Sequence, residues 1–412
     1  MKTSEPPPPP AWLCWFVLVW VSLAMFGNYY IYDSISPLAD LLKSQLGFSD
    51  QQIGTLNGIY SLPNIVMVLL GGILIDRFGT RRSLLAFSLL CVLGAAATAA
   101  DGSFLVMAAG RLIFGLGAES MIVAVNTAVV QWFKGRQLSL AFGLNLTVAR
   151  LGSFAALNSP TWARELYQDW QAPLVAATLI GLTCLAGAGA YWLIDRLAAG
   201  KYRLARPDSP ETVVWGDVFR FSRSYWYVVG LCATFYSAIF PFQTFAVKFF
   251  MEAHGTSREE GGFLSSVLTL FAMICTPLFG YLADRTGRRS ELMIAGSALL
   301  LPVYLLMGHT GLTLYLPVSL MGIAFSLIPA VMWPYVSFVV PPSRLGTAYG
   351  LMTMLQNVGL TLFNFLIGWA NDFAGAGPDH PAGYQLGMWL FSTLGLLGLI
   401  FAIALHRQPR GT

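Results

Sequence analysis

Two residues of opposite charge, Glu119 and Arg150, lie near the middle of apolar runs long enough to cross a membrane. A lone charge at bilayer depth costs at least ~2.5 kcal/mol, so such residues normally face a partner or a watery cavity. Glu119 stands fifteen residues before Lys134, and Arg150 fourteen after Arg136, on the two runs that flank one short basic loop. At about 1.5 Å per helical residue, both sit roughly 21–23 Å from the same membrane face. A guanidinium forks onto a carboxylate, and a carboxylate receives an ammonium group, so the pair suits a zwitterionic ligand. The competing reading is an internal salt bridge that only staples the two helices, with Glu119 holding Arg150 in place.

Further polar residues share these apolar runs. Asp33, beside Tyr30 and Tyr32, falls toward the outer end of the first run, where it is either a site carboxylate or a surface cap. Lys248 falls toward the outer end of the seventh, as a second basic partner or as a lysine that snorkels to the interface. Tyr60, Asn64, Asn126, Trp333, Asn357 and Asn364 are weaker candidates, because amides inside membranes commonly glue helices together. Tyr60 and Trp333 offer apolar cavity walls. Arg111 lies on the same run as Glu119 and is expected to serve structure or gating. No His-Glu-x-x-His, Gly-x-Ser-x-Gly or paired intramembrane aspartates occur, and the four histidines fall at span ends. Enzyme chemistry, a metal and a cofactor are therefore not expected.

The elements that must hold these residues are set by composition. The chain has 412 residues, is 56% hydrophobic and only 11% charged, against about 25% charged in soluble proteins. Twelve apolar spans are predicted, at about 11–34, 51–75, 83–101, 104–131, 137–160, 172–195, 224–251, 260–283, 290–309, 312–340, 344–370 and 384–406. Each is near the ~20 residues that cross hydrocarbon, and continuous apolar runs mean helices, not a barrel. The fold class is thus an all-α membrane protein. The five cysteines (Cys14, Cys91, Cys184, Cys232 and Cys275) fall inside spans without metal or redox spacing and read as packing residues. Of the 24 Lys and Arg, 18 lie in the two tails or the even-to-odd loops, while Asp40, Asp50, Asp101, Glu165, Asp169, Glu252, Asp372 and Asp379 gather on the other face. Both termini are therefore expected to be cytoplasmic. The net charge of +4 is spread over loops, so no nucleic-acid partner is expected, only the bilayer and a small molecule.

The chain repeats itself at half its length. Gly72-Ile73-Leu74-Ile75-Asp76-Arg77-Phe78-Gly79 is matched 208 positions later by Gly280-Tyr281-Leu282-Ala283-Asp284-Arg285-Thr286-Gly287. Ala141-Phe142-Gly143-Leu144 is matched 207 positions later by Ala348-Tyr349-Gly350-Leu351. Two echoes at one offset imply parallel six-helix halves with a solute site at mid-depth. The expected organisation is a Pro-rich tail at 1–10, bundles at 11–195 and 224–406, a linker at 196–223 and a tail at 407–412. A shift of 207 sets Ser326 opposite Glu119 and Asn357 opposite Arg150. The frame is duplicated but the charges are not, which favours a ligand role over a staple.

The duplicated G-x-L-x-D-R-x-G-[RK]-R pattern resembles the major facilitator superfamily signature, with Thr80 replacing one basic residue in the first copy. Arg111-Leu112-Ile113-Phe114-Gly115-Leu116-Gly117 is similar to the superfamily's fourth-helix motif. Within the superfamily, several stretches resemble the lysosomal dipeptide transporter branch and its prokaryotic relatives. These include Tyr29-Tyr30-Ile31-Tyr32-Asp33, Tyr60-Ser61-Leu62-Pro63-Asn64, Gly117-Ala118-Glu119-Ser120, Ala149-Arg150-Leu151-Gly152-Ser153 and Lys248-Phe249-Phe250. Asn126-Thr127, Trp132-Phe133-Lys134-Gly135, Trp333-Pro334 and Gln356-Asn357 extend the likeness. The resemblance implies dipeptide transport, as a facilitator or, alternatively, as a proton-coupled symporter of peptides, amino acids or small organic anions. It also implies gating by Asp76, Arg77, Asp284 and Arg285, and substrate contact by Tyr32 together with the polar residues above. Lysosomal members carry an acidic dileucine signal in the amino tail. Met1 to Pro10 has none, so a bacterial cell membrane is expected. A monomer is expected too; lysosomal relatives work with a partner protein, and no accessory subunit is evident here.

Overall fold

The computed structural model describes residues 7–133, 137–199, 201–204, 221–341 and 344–408. Among them there is no strand, only an isolated bridge between Gly377 and His380. The long helices are α1 (Ala11–Asp33), α3 (Asp50–Phe78), α4 (Thr80–Ala100), α5 (Phe104–Phe133), α6 (Leu138–Leu157) and α8 (Gln171–Ala198). They continue as α9 (Arg223–His254), α10 (Arg258–Thr286), α11 (Arg289–His309), α12 (Tyr315–Val339), α13 (Leu345–Phe373) and α14 (Gln385–His406). Short helices α2 (Ala39–Leu46) and α7 (Ser159–Trp162) lie between them. Eleven helices are long and apolar enough to cross a membrane, and α3, broken into Asp50–Met67 and Leu70–Phe78, would make a twelfth.

Sequence chemistry explains where the helices stop. Gly79 is the single residue between α3 and α4 and holds φ +84°, a conformation that side-chain-bearing residues resist. Its counterpart in the second copy of the signature, Gly287, ends α10 with φ +66°. Ser222 and Ser257 cap α9 and α10, each accepting a backbone N–H from three residues on.

The chain forms two compact units. The first comprises the described parts of Met1–Ser34, Val66–Ala156 and Gln171–Pro210. Here α4 packs on α5 and α8, and α1 packs on α8 and α5. Ser22 of α1 donates to Asn145 of α6 at 3.0 Å. The second comprises Ile35–Ile65, Leu157–Trp170 and the described part of Glu211–Thr412. In it α9 packs on α13 and α14, α10 on α12, and α11 on α12 and α14. An aromatic core of Phe242, Tyr304 and Phe391 joins them, with Tyr304 donating to the Ala238 carbonyl at 2.7 Å. The amino tail up to Pro6, the loop Lys134–Arg136, most of the 196–223 linker and the last four residues lie outside the described residues.

Candidate functional site

In the first unit, three helices bring the charged residues together. α6 is drawn against α1 at Gly152, where a side chain would collide with the Phe26 carbonyl. That approach sets Arg150 over the ring of Tyr29, 5.6 Å from its centroid. The Tyr29 hydroxyl lies in the field of Arg150, Glu119 and Asp33. Asp33 follows Tyr29 by one turn on α1, is 8% exposed, and is hydrogen-bonded to Ser153. It also feels both Arg150 and Arg111. Glu119 and Arg150 are half-buried, so each keeps a face toward open space. Asn126 lies two turns beyond Glu119 on the same face of α5 and is half-buried as well.

Arg111 differs in kind. It is 1% exposed, and its guanidinium donates to the carbonyls of Ile31 and Tyr32, both at 3.3 Å. Those are last-turn carbonyls of α1, which have no partner within the helix. A cation there is also favoured by the helix dipole. Its guanidinium carbon lies 5.2 Å from the Phe114 ring centroid and 5.9 Å from that of Tyr32. Arg111 thus binds the end of α1 and is sealed, whereas Arg150 is half-buried.

The second unit holds the remaining candidates. Lys248 is wholly buried; its ammonium lies 2.8 Å from Asp50, 2.9 Å from the Tyr384 hydroxyl and 3.3 Å from Glu252. Trp333 donates its indole N–H to Tyr236 at 3.0 Å and stacks on Tyr349, whose hydroxyl donates to the Trp333 carbonyl at 3.1 Å. Tyr236 in turn stacks on Phe240, at 5.6 Å between centroids. Asn357 is buried and donates to the Thr353 carbonyl one turn back at 3.0 Å. Asn364 is buried too and accepts from Thr244 at 2.8 Å. Tyr60 and Asn64 are buried on α3; both Asn64 amide atoms lack a hydrogen-bond partner among the described residues.

Of the expected gating residues, Asp76 and Arg77 are exposed at the end of α3, and Arg77 lies 5.4 Å from the Phe78 ring centroid. Asp284 pairs with Arg289 at 2.7 Å, and Arg285 is exposed. Among the described residues no group of three His, Cys, Asp or Glu is placed to hold a metal. All five cysteines are free, four of them buried. Sequence reasoning passed over Tyr29 and Ser153, although each lies within one helical turn of a named charge. It also read Asp50, Glu252 and Asp372 only as loop charges, because their partners come from distant segments.

The family model of the Major Facilitator Superfamily matches residues 21–248 and 231–412. The chain is 34% identical over 375 residues to the lysosomal dipeptide transporter MFSD1 of Homo sapiens, across 87% of this chain and 80% of that one. The same protein of Danio rerio is also 34% identical, over 87% and 81%. The hexuronate transporter of Escherichia coli (strain K12) is 23% identical over 95% and 93%. Among solved structures, a bacterial homologue of the human lysosomal transporter Spinster, inward-facing and occupied, aligns with TM-score 0.73 at 16% identity over 96% and 98%. The nucleoside transporter NupG aligns with TM-score 0.73 at 13% identity, over 95% and 100%. With a helical fold of this length, a duplicated signature and a family match along nearly the whole chain, the protein belongs to the Major Facilitator Superfamily and is a multi-pass membrane transporter.

Proposed function

We propose that the protein moves dipeptides across the membrane as a facilitator by alternating access. The observation that carries this reading is the cluster of Asp33, Glu119 and Arg150 around Tyr29, within apolar helices. Arg150 takes the substrate carboxylate through two parallel N–H donors, and Glu119 with Asp33 receives the ammonium group. A carrier of many dipeptides must recognise what they share, the two charged ends, and leave the side chains room. Tyr32 and Asn126 add polar contacts around these charges. Trp333, Tyr60, Asn64 and Asn357 serve the variable part. Asp76, Arg77, Asp284 and Arg285 gate the cycle. Likeness to a lysosomal dipeptide transporter supports the substrate class. The membrane is a bacterial cell membrane, with both termini cytoplasmic and the protein acting as a monomer.

The test is uptake by proteoliposomes: they should exchange dipeptides, and Arg150→Ala should abolish flux without loss of folded protein. Undiminished flux in that variant removes the mechanism. Asp33 favours a second reading, proton-coupled uptake of peptides, amino acids or small organic anions. A carboxylate buried within an apolar helix is a natural proton carrier. Dipeptide flux indifferent to an imposed pH gradient would exclude that coupling.

A further inference from the structure

Lys248 has three ammonium protons and three acceptors around them: Asp50, the Tyr384 hydroxyl and Glu252. Its hydrogen bonds go to Asp50 and the Tyr384 hydroxyl, and Glu252 pairs with its charge at 3.3 Å. Asp50 also receives Lys43 at 3.0 Å, and the Tyr384 hydroxyl donates to Glu252 at 2.5 Å. One end of the second unit thus carries a closed circuit of two bases, two acids and a phenol. Asp50 is the first residue of α3, Glu252 lies in the last turn of α9, and Tyr384 stands just before α14.

A second acid ties the same end. Both carboxylate oxygens of Asp372, in the last turn of α13, accept backbone N–H groups at the start of α3, from Asp50 at 2.8 Å and Gln51 at 2.7 Å. A carboxylate seated on a helix N-terminus is favoured by the unpaired N–H groups and by the dipole. Behind these charges the backbones touch. A side chain at Gly54 would collide with the Asn364 carbonyl, and one at Gly368 with the Asp50 carbonyl. Asn57, Thr244 and Asn364 add hydrogen bonds at 3.1 and 2.8 Å.

We propose that Asp50, Lys248, Glu252, Tyr384 and Asp372 form a latch that closes the non-cytoplasmic end of the transporter, with Lys248 acting there as a positioning residue and not as a substrate ligand. The proposal rests on the transporter reading, and it takes Lys248 out of the substrate contacts that the sequence suggested. Residues 50–65 come from the first sequence repeat, whereas α9, α13 and Tyr384 come from the second. A solute admitted at this end must part them. Ionic closure suits a contact that opens and closes. Parting an apolar seam exposes hydrocarbon at about 25 cal/mol per Å². Parting an ion circuit at helix ends exchanges protein partners for water, and buried ion pairs are close to neutral in stability. The latch is therefore firm in geometry and shallow in energy.

The test uses the full chain in proteoliposomes, with Ser61→Cys as reporter, since Ser61 is 1% exposed on the first half of α3. Removing both latch charges, in Asp50→Asn/Lys248→Met, should raise labelling of that cysteine by an impermeant maleimide about ten-fold through a population shift. Dipeptide affinity, read by thermal shift, should stay within about three-fold of the parent. Arg150→Ala should do the reverse, losing affinity with labelling unchanged. Unchanged labelling in the double variant overturns the latch. So does a loss of affinity in Lys248→Met that equals the loss in Arg150→Ala and is absent from Asp50→Asn. Should the double variant not fold, Asn57→Cys/Thr244→Cys serves: oxidation should stop flux and reduction restore it, and full flux while oxidised overturns the proposal. If no dipeptide shifts even the parent, the substrate assignment fails alone, because labelling needs no ligand.

Discussion

Arg150 and Arg111 are both guanidinium groups inside apolar helices, and their surroundings differ. Arg111 spends its donors on the carbonyls of Ile31 and Tyr32 and is sealed. Arg150 rests on the Tyr29 ring and is only half-buried. Hydrogen bonds to charged groups contribute about 1.5–3 kcal/mol each, so Arg150→Ala should weaken dipeptide binding by at least ten-fold. Arg150→Lys should recover only part of this, because an ammonium cannot fork onto a carboxylate. Calorimetric titration of the three proteins checks both statements, and equal affinity in the lysine variant would contradict them. Arg111→Met instead leaves helix-end carbonyls unpaired in a buried place. It should cost about 2–4 kcal/mol of stability, seen as a lower melting temperature with binding retained in whatever protein folds.

Among the elements, α1 and α6 show how the charged cluster is held. Gly152, two residues after Arg150, lets the two helices approach until a carbonyl lies where a side chain would stand. Gly152→Val should therefore destabilise the bundle by about 1–3 kcal/mol through overpacking. It should also reduce flux, because Ser153 and Arg150 shift away from Asp33 and Tyr29. A thermal melt and an uptake assay on one preparation test this, and a variant with unchanged melting would refute the close approach. Of the cluster proposed as the site, the charges were legible in the sequence at this scale. The charges at Glu119 and Arg150 stand out because hydrocarbon tolerates so few, and helical rise alone set their common depth. Tyr29 and Ser153 were not legible, since an aromatic and a hydroxyl are ordinary inside a membrane helix until a charge is seen beside them. Asn357 stood out for the same reason as the charges, yet its amide bonds to its own helix.

For the molecule as a whole, charge bias in the loops is the basis of the proposed orientation, and labelling can test it. Asp101→Cys, exposed between α4 and α5, should react with an impermeant maleimide from outside intact cells. Lys201→Cys, exposed after α8, should react only after permeabilisation. The opposite pattern would invert the proposed topology. By itself the sequence determined the helical membrane class and singled out the charges within it, because each follows from run length or the cost of charge in hydrocarbon. Tertiary structure alone decided which charges meet. Asp50 and Lys248 are 198 residues apart, Asp50 and Asp372 are 322 apart, and no helical repeat relates either pair. Their circuit exists only because α3, α9 and α13 pack at one end, a contact between distant segments that local spacing does not encode.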